Sequence, residues 1–402
     1  MDRDIYERER RLRYWLEKVD NNNVCTDEDK EDIKRYIQYH IEKETSLLRV
    51  ALCIQVLTTL RAFLSRPFRY CTKEDIRNLI TALSRRGYNA ETESTYRTIL
   101  KHFFKVCYGN NEYYPEQVAW LKTKVSKDKR RESEGLDLDS FLTEEEVKRL
   151  VDTADTLQRK AMIATAYETG ARPEELLNLR IRDIAFDQYG CTVILRGKTG
   201  ERRVRMIAYA PLLREWINIH PFRKNRDSYV WLSEATNHKW KPLKIFGAEA
   251  MFRNVMRKAG IDKDFRLYVL RHSRATHLAG KLTEAEMCKF FGWVLGTQVV
   301  KRYIHLAGID IDSKLLQLQG LSVEEDKQGL KVKRCIRCQE LLSPNHDYCP
   351  KCGLTREVES ILLAGKGEEE EEEKNKKVER LEAEVAKLTA LVEELLKRKA
   401  LL

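Results

Sequence analysis

The stretch LYVLRHSRATHLAG, residues 267–280, governs the reading of this chain. It sets Tyr268, Arg271, His272 and His277 in one segment expected to be helical over 265–281. Thirty-two positions after Arg271 comes Tyr303, in VVKRYIHLAG, with His305 two residues on. Trp293 lies between them in FFGWV. Upstream, Arg172 stands in TGARPEEL, and Glu175 follows it by three positions. Lys198 stands in RGKTG, between the runs CTVIL and RRVRMI. A Gly-bounded turn between two short β-prone runs reads as a hairpin.

Around that hairpin the pattern is helical. Residues 211–220, 242–260, 265–281 and 283–305 carry apolar residues at helical spacing. Thr143-Glu-Glu-Glu146 and Thr283-Glu-Ala-Glu286 are capping boxes, and a short helix should begin near Pro173. Residues 1–120 read almost wholly as helix, with starts at Thr26 and Thr72. Their apolar stripes, 47–64, 76–83 and 96–104, should bury against one another as a small bundle. The expected fold class is mainly α with a small antiparallel sheet.

Composition breaks divide the chain into a helical domain over 1–121, a basic linker over 122–140 and a second domain over 141–325. A cysteine-rich module over 331–356, a charged spacer over 366–375 and a last helix over 376–402 follow. The 402 residues carry a net charge of +11. From Lys366 onward there are nine basic and eleven acidic residues, leaving 65 basic against 52 acidic before it. The body is thus more basic than the total suggests and suits a polyphosphate partner. No apolar run approaches the roughly 18 residues needed to span a bilayer, and the N-terminus has no apolar signal core. A soluble, intracellular protein is expected. Cys25, Cys53, Cys71, Cys107, Cys191 and Cys288 are scattered singly and read as buried thiols.

The ordered set ARPEEL, LRHSRATH and RYIH resembles the tyrosine recombinase (phage integrase) family. The likeness is strong over about 143–315 and weaker over about 20–120, where that family has a helical core-binding domain. The resemblance implies a mixed α/β catalytic domain and a DNA strand cleavage and religation enzyme. It implies that Arg172 and Arg271 clamp the phosphate, Lys198 protonates the 5′ oxygen, and Tyr303 attacks to form a 3′-phosphotyrosyl bond. Glu175 matches an acid that orients these groups.

The chemistry has a physical basis. Arginines bind non-bridging oxygens bidentately and stay charged at any working pH. A tyrosine ester conserves the bond energy for rejoining. Two positions depart from the family. Tyr268 stands where a histidine or lysine is usual, and Trp293 where histidine is common. Both remain hydrogen-bond donors but neither is a base at neutral pH. They are expected as catalytic donors, the alternative being core aromatics. How Tyr303 loses its proton stays open. His272 and His305 are expected to support the catalytic residues, and His277 to pack.

The implied partner is double-stranded DNA, held by a homo-oligomer that is a tetramer in this family, in a cytoplasmic, nucleoid-associated setting. Lys122, Lys124, Lys127, Lys129, Arg130 and Arg131 would follow the DNA backbone, or else form a solvated linker. Residues 89–105 offer Asn89, Thr92, Ser94, Thr95, Arg97 and Lys101 to a groove. Cys335, Cys338, Cys349 and Cys352 have the spacing of a zinc ribbon, with one structural Zn²⁺ per chain and none for catalysis. In the last helix Val378, Leu381, Val385, Leu388, Val392, Leu395 and Leu402 alternate at a and d positions. This fits a coiled-coil dimer or a helix docked on its own chain. Two other functions fit the residues: an architectural or regulatory DNA-binding protein with a weakened site, and type IB topoisomerase-like relaxation.

Overall fold

The computed structural model describes residues 4–125, 140–197, 200–306, 332–358 and 360. Lys198, Lys127, Lys129, Arg130, Arg131, the glutamate run and the 376–402 helix lie outside the described residues, as does the His305 side chain. The chain divides into two compact units, Met1–Phe141 with Ser233–Glu249, and Leu142–Leu232 with Ala250–Leu402. Among the described residues no helix is long and apolar enough to cross a membrane.

The first unit is built on the helices Arg8–Asp20, Asp27–Glu42, Leu47–Arg61, Lys73–Arg85, Ala90–Tyr108 and Glu116–Ala119. Thr26 and Thr72 each close a capping box, with Asp29 and Asp75 at the third helical position. Two orphan N–H groups are satisfied at each start, which fixes where the helix begins. Ile33, Tyr36, Val50, Ile54, Leu57, Phe68, Leu79, Leu83, Phe103 and Phe104 share one core, so the expected stripes do face one another. Asp29 is fully buried. It accepts from Arg61 Nε at 2.5 Å and from the Phe68 N–H at 2.8 Å.

In the second unit the helix Leu157–Thr169 is buried on every face from Ala161 to Thr169. A helix buried all round must be surrounded. Glu144–Thr153, Ala210–Ile219 and Tyr268–Ala279 all pack against it. The sheet has three antiparallel strands: β1 (Ile184–Asp187), β2 (Gly190–Gly197) and β3 (Gly200–Met206). β2 and β3 are the expected hairpin, in register from Cys191 opposite Met206 to Gly197 opposite Gly200. β1 was not expected; its four residues are too few to show a period, and pairing with β2 creates it. A two-stranded pair, Lys333–Arg334 with Leu341–Leu342, carries the cysteine module.

One expected element is corrected. Residues 283–305 are two helices, Glu284–Phe291 and Gln298–Leu306. The first ends on Gly292 in the left-handed conformation (φ 62°, ψ 48°), its N–H returning to Cys288 O. The apolar spacing runs through the break because both pieces bury a face against Tyr268–Ala279.

Leu157–Thr169 ends in the same way, on Gly170 at φ 57°. A Cβ there would also lie 2.4 Å from the Phe291 ring. Gly170→Ala should cost about 1–2 kcal/mol in backbone conformation alone, and more from the ring clash. A lowered thermal unfolding midpoint checks this; an unchanged midpoint would contradict it.

Candidate active site

The site begins at the turn after Leu157–Thr169. Gly170 reverses the chain, and Pro173 starts the short helix Pro173–Leu177. Arg172 sits between them at the N-cap, and Glu175 reaches back from one turn on. The Glu175 Oε2 accepts the Arg172 N–H at 2.9 Å, and Oε1 accepts Arg172 Nη1 at 2.7 Å. Arg172 Nη2 also donates to Gly292 O at 3.2 Å. About a quarter of the Arg172 side chain stays exposed.

Glu175 is only 3% exposed and holds more than Arg172. Its Oε2 accepts Arg202 Nη2 at 2.7 Å. Arg271 Nη1 stands 4.0 Å from the same oxygen. Burial pushes the Glu175 carboxyl up, but Arg202 and the Arg172 N–H outweigh it and leave it below the ordinary carboxylate range. Its stabilising effect is therefore present above the ordinary carboxylate range and fades as pH falls through the lowered value.

Arg271 is 1% exposed, on the helix Tyr268–Ala279. Nη1 donates to Gly170 O at 2.6 Å and Nη2 to Phe291 O at 2.7 Å. Its guanidinium lies 5.2 Å from the Phe291 ring centre and 5.3 Å from that of Trp293. Burial, and then Arg172, lower its pKa to about 10, so it remains cationic at neutral pH.

Tyr303 lies on Gln298–Leu306 and is 4% exposed. Its ring stacks on Trp293 at 5.3 Å and 3°, and Trp293 stacks in turn on Phe291 at 4.5 Å. Its hydroxyl forms a short hydrogen bond with His272 Nδ1. Burial pushes the phenol up to about 12, and Tyr268 adds to the rise. Burial and Arg271 hold His272 down at about 4, so its ring is neutral at neutral pH. Tyr268 is 37% exposed and meets the His272 ring edge-on at 4.8 Å.

The structure thus gathers Arg172, Glu175, Arg271, His272, Trp293, Tyr303 and Tyr268. Lys198 lies outside the described residues, but the strand that leads to it ends here. A Cβ on Gly197 would stand 3.1 Å from the Glu175 side chain. His277 packs as expected, its Nδ1 2.8 Å from the Tyr167 hydroxyl.

Arg202 is the residue that motif reading missed. It also donates to Phe290 O. Arg202, Val204 and Met206 share one face of β3, and the two apolar ones are fully buried. An arginine in the inward register of a strand was the available signal.

In the first unit, Lys122 and Lys124 are exposed. On Ala90–Tyr108 several of the proposed groove-facing side chains are engaged internally. Asn89 caps Thr92 N–H at 2.8 Å, Arg97 pairs with the buried Glu93, and Lys101 donates to Leu121 O at 2.7 Å. The four clustered cysteines converge, with all sulfurs within 4.8 Å of one another, and could hold a metal ion. His346 is engaged elsewhere, its Nδ1 accepting the Ser343 N–H at 3.3 Å and its Nε2 2.8 Å from Glu215 Oε1. The six scattered cysteines are free and buried.

Residues 140–308 match the phage integrase family. The chain is 31% identical over 217 residues to the tyrosine recombinase XerA of Pyrococcus furiosus, covering 52% of this chain and 67% of that one. It is 29% identical over 216 residues to XerA of Pyrococcus horikoshii, with 52% and 66% covered. The chain therefore spans about two thirds of the length of these relatives. Its fold is similar to a XerH site-specific recombinase bound to palindromic difH substrate (TM-score 0.53, 18% identity, 79% of this chain and 100% of that one). It is also similar to a lambda integrase dimer bound to a COC′ core site (TM-score 0.54, 17% identity, 68% and 76% covered). With its motifs converging on one site and these likenesses, the chain belongs to the phage integrase family and is a tyrosine recombinase.

Proposed function

We propose that this enzyme cuts and rejoins duplex DNA at a specific site through a 3′-phosphotyrosyl intermediate on Tyr303. The observation that carries the reading is the charge around Glu175. Three guanidiniums surround one buried carboxylate, so the pocket keeps a net positive charge beside a tyrosine. Such a preorganised excess suits a phosphodiester that gains charge in its transition state.

In this scheme Arg172 contacts the non-bridging oxygens with its exposed edge, and Arg271 adds positive charge from the floor. The Tyr303 oxygen attacks phosphorus, and the P–O5′ bond breaks. Lys198, which follows β2 in the sequence, gives the 5′ oxygen its proton. Religation reverses the steps. Tyr268 donates a hydrogen bond to the phosphate. Trp293 fixes the plane of the Tyr303 ring. Lys122 and Lys124 hold the DNA backbone with Lys127, Lys129, Arg130 and Arg131, and copies of the chain assemble on DNA as a homo-oligomer. The 376–402 helix adds a coiled-coil contact to that assembly.

We also assign zinc to the cysteine module. Tetrahedral Zn–S bonds of about 2.3 Å place sulfurs about 3.8 Å apart. The Cys335–Cys352 and Cys338–Cys349 sulfurs are each 3.5 Å apart, close to that spacing. Four thiolates leave no open position, so the ion's role is structural.

Three experiments test these assignments. A duplex selected from a randomised pool by binding to the protein, with nicks tiled across it, should trap a covalent adduct. Tyr303→Phe should abolish the adduct; an adduct that survives this change refutes Tyr303 as nucleophile. Glu175→Gln removes the counter-charge of buried guanidiniums and should cost about 3 kcal/mol, read by urea unfolding, together with loss of adduct. Wild-type stability would show that the carboxylate does not hold the cluster. Cys349→Ser should lower bound zinc from about one per chain towards zero by elemental analysis; unchanged stoichiometry would exclude the four-sulfur site.

A further inference from the structure

We propose that His272 is the proton acceptor for Tyr303. The inference rests on Tyr303 being the nucleophile and supplies the base that its chemistry needs. Tyr268 and Trp293 occupy the places where this family usually carries ionisable groups. Tryptophan has an N–H and no lone pair for a proton, and a phenol side chain is no base at neutral pH. Something else must take the proton before an oxygen held at about 12 can attack.

Among the described residues, His272 is in place to do so. Its Nδ1 is already hydrogen-bonded to the Tyr303 hydroxyl. Three contacts fix the pair. The Tyr303 ring lies flat on Trp293, the His272 ring is braced edge-on by Tyr268, and the backbone of His272 is set by the helix that carries Arg271. The ring is neutral, so a lone pair is available. Phenol donation to Nδ1 requires the ring's own proton to sit on Nε2.

The proton budget balances. The Tyr303 proton passes to Nδ1 as the phenol oxygen bonds phosphorus, and the leaving 5′ oxygen is protonated by the acid. On religation the imidazolium returns its proton to the departing phenol oxygen. In the resting site the two pKa values, about 12 and about 4, lie far apart, so transfer accompanies attack rather than preceding it. The charges facing His272 are Arg271 on its own helix, Asp264 and Arg266 before it, and Arg302 on the helix of Tyr303. The arginines disfavour the imidazolium, and an arriving phosphodiester offsets them. Substrate binding therefore makes His272 a better acceptor.

The full chain and the selected nicked duplex provide the test. His272→Asn keeps a polar atom near the position of Nδ1 but takes up no proton. It should slow adduct formation roughly 100- to 10,000-fold, with DNA binding and thermal unfolding unchanged. Placing 3,5-difluorotyrosine at position 303 makes the phenol more acidic. It should speed His272→Asn by tenfold or more and the wild type by less. An equal defect with both tyrosines would make His272 a positioning residue only, and a wild-type rate in His272→Asn would remove it from the reaction. Should the variant fail to fold, ¹⁵N NMR of histidine-labelled wild type decides. A resting His272 with its proton on Nε2 supports the proposal, and one with it on Nδ1 overturns it. If the wild type forms no Tyr303-dependent adduct, it is the recombination reading that fails.

Discussion

The site depends on one buried carboxylate. Glu175 accepts from Arg172 and Arg202, and Arg271 stands at 4.0 Å from it. Without it, three like charges would be confined in a space where water screens them poorly. With it, the cluster is held together and still keeps a positive excess. Other donors reach chain ends: Gly170 O, Phe290 O, Phe291 O and Gly292 O all accept from these arginines. The guanidiniums therefore tie together two helix termini, each closed by a left-handed glycine. Charge placement and chain reversal are one structure.

The aromatic wall follows from the same arrangement. Gly292 ends one helix, so Trp293 can turn under Tyr303 instead of continuing away from it. Stacking shelters the phenol and raises its pKa by desolvation. A tyrosine kept protonated is inert toward water and stray phosphate, and its reactivity waits for a base. The departures at Tyr268 and Trp293 are thus packing elements around the His272–Tyr303 pair.

Much of this was legible in the linear chain, for identifiable reasons. Capping boxes at Thr26, Thr72, Thr143 and Thr283 are local, so each predicted helix start is where it should be. Arg172, Arg271 and Tyr303 stand in contiguous motifs, and the structure does converge them. Arg202 was not legible as a site residue. One among several arginines in its strand, it is distinguished only by which face of β3 is buried, and that depends on pairing with β2. The break at Gly292 was hidden because apolar spacing persists on both sides of it. The inward or internal use of Asn89, Arg97 and Lys101 was hidden too, since a polar side chain near a turn reads alike whether it faces solvent or a backbone carbonyl.

By itself, then, the sequence determined the family, the helical character, the hairpin, the cysteine spacing and the candidates for nucleophile and clamp. These are properties of short segments, where periodicity, caps and fixed spacing act over a few residues. Only the tertiary structure decided which carboxylate gathers the guanidiniums, which arginine joins from the sheet, and which nitrogen meets the phenol. Those facts arise between segments distant in the chain, such as His272 and Tyr303, or Glu175 and Arg202. Burial and register, not local composition, bring them within hydrogen-bonding reach.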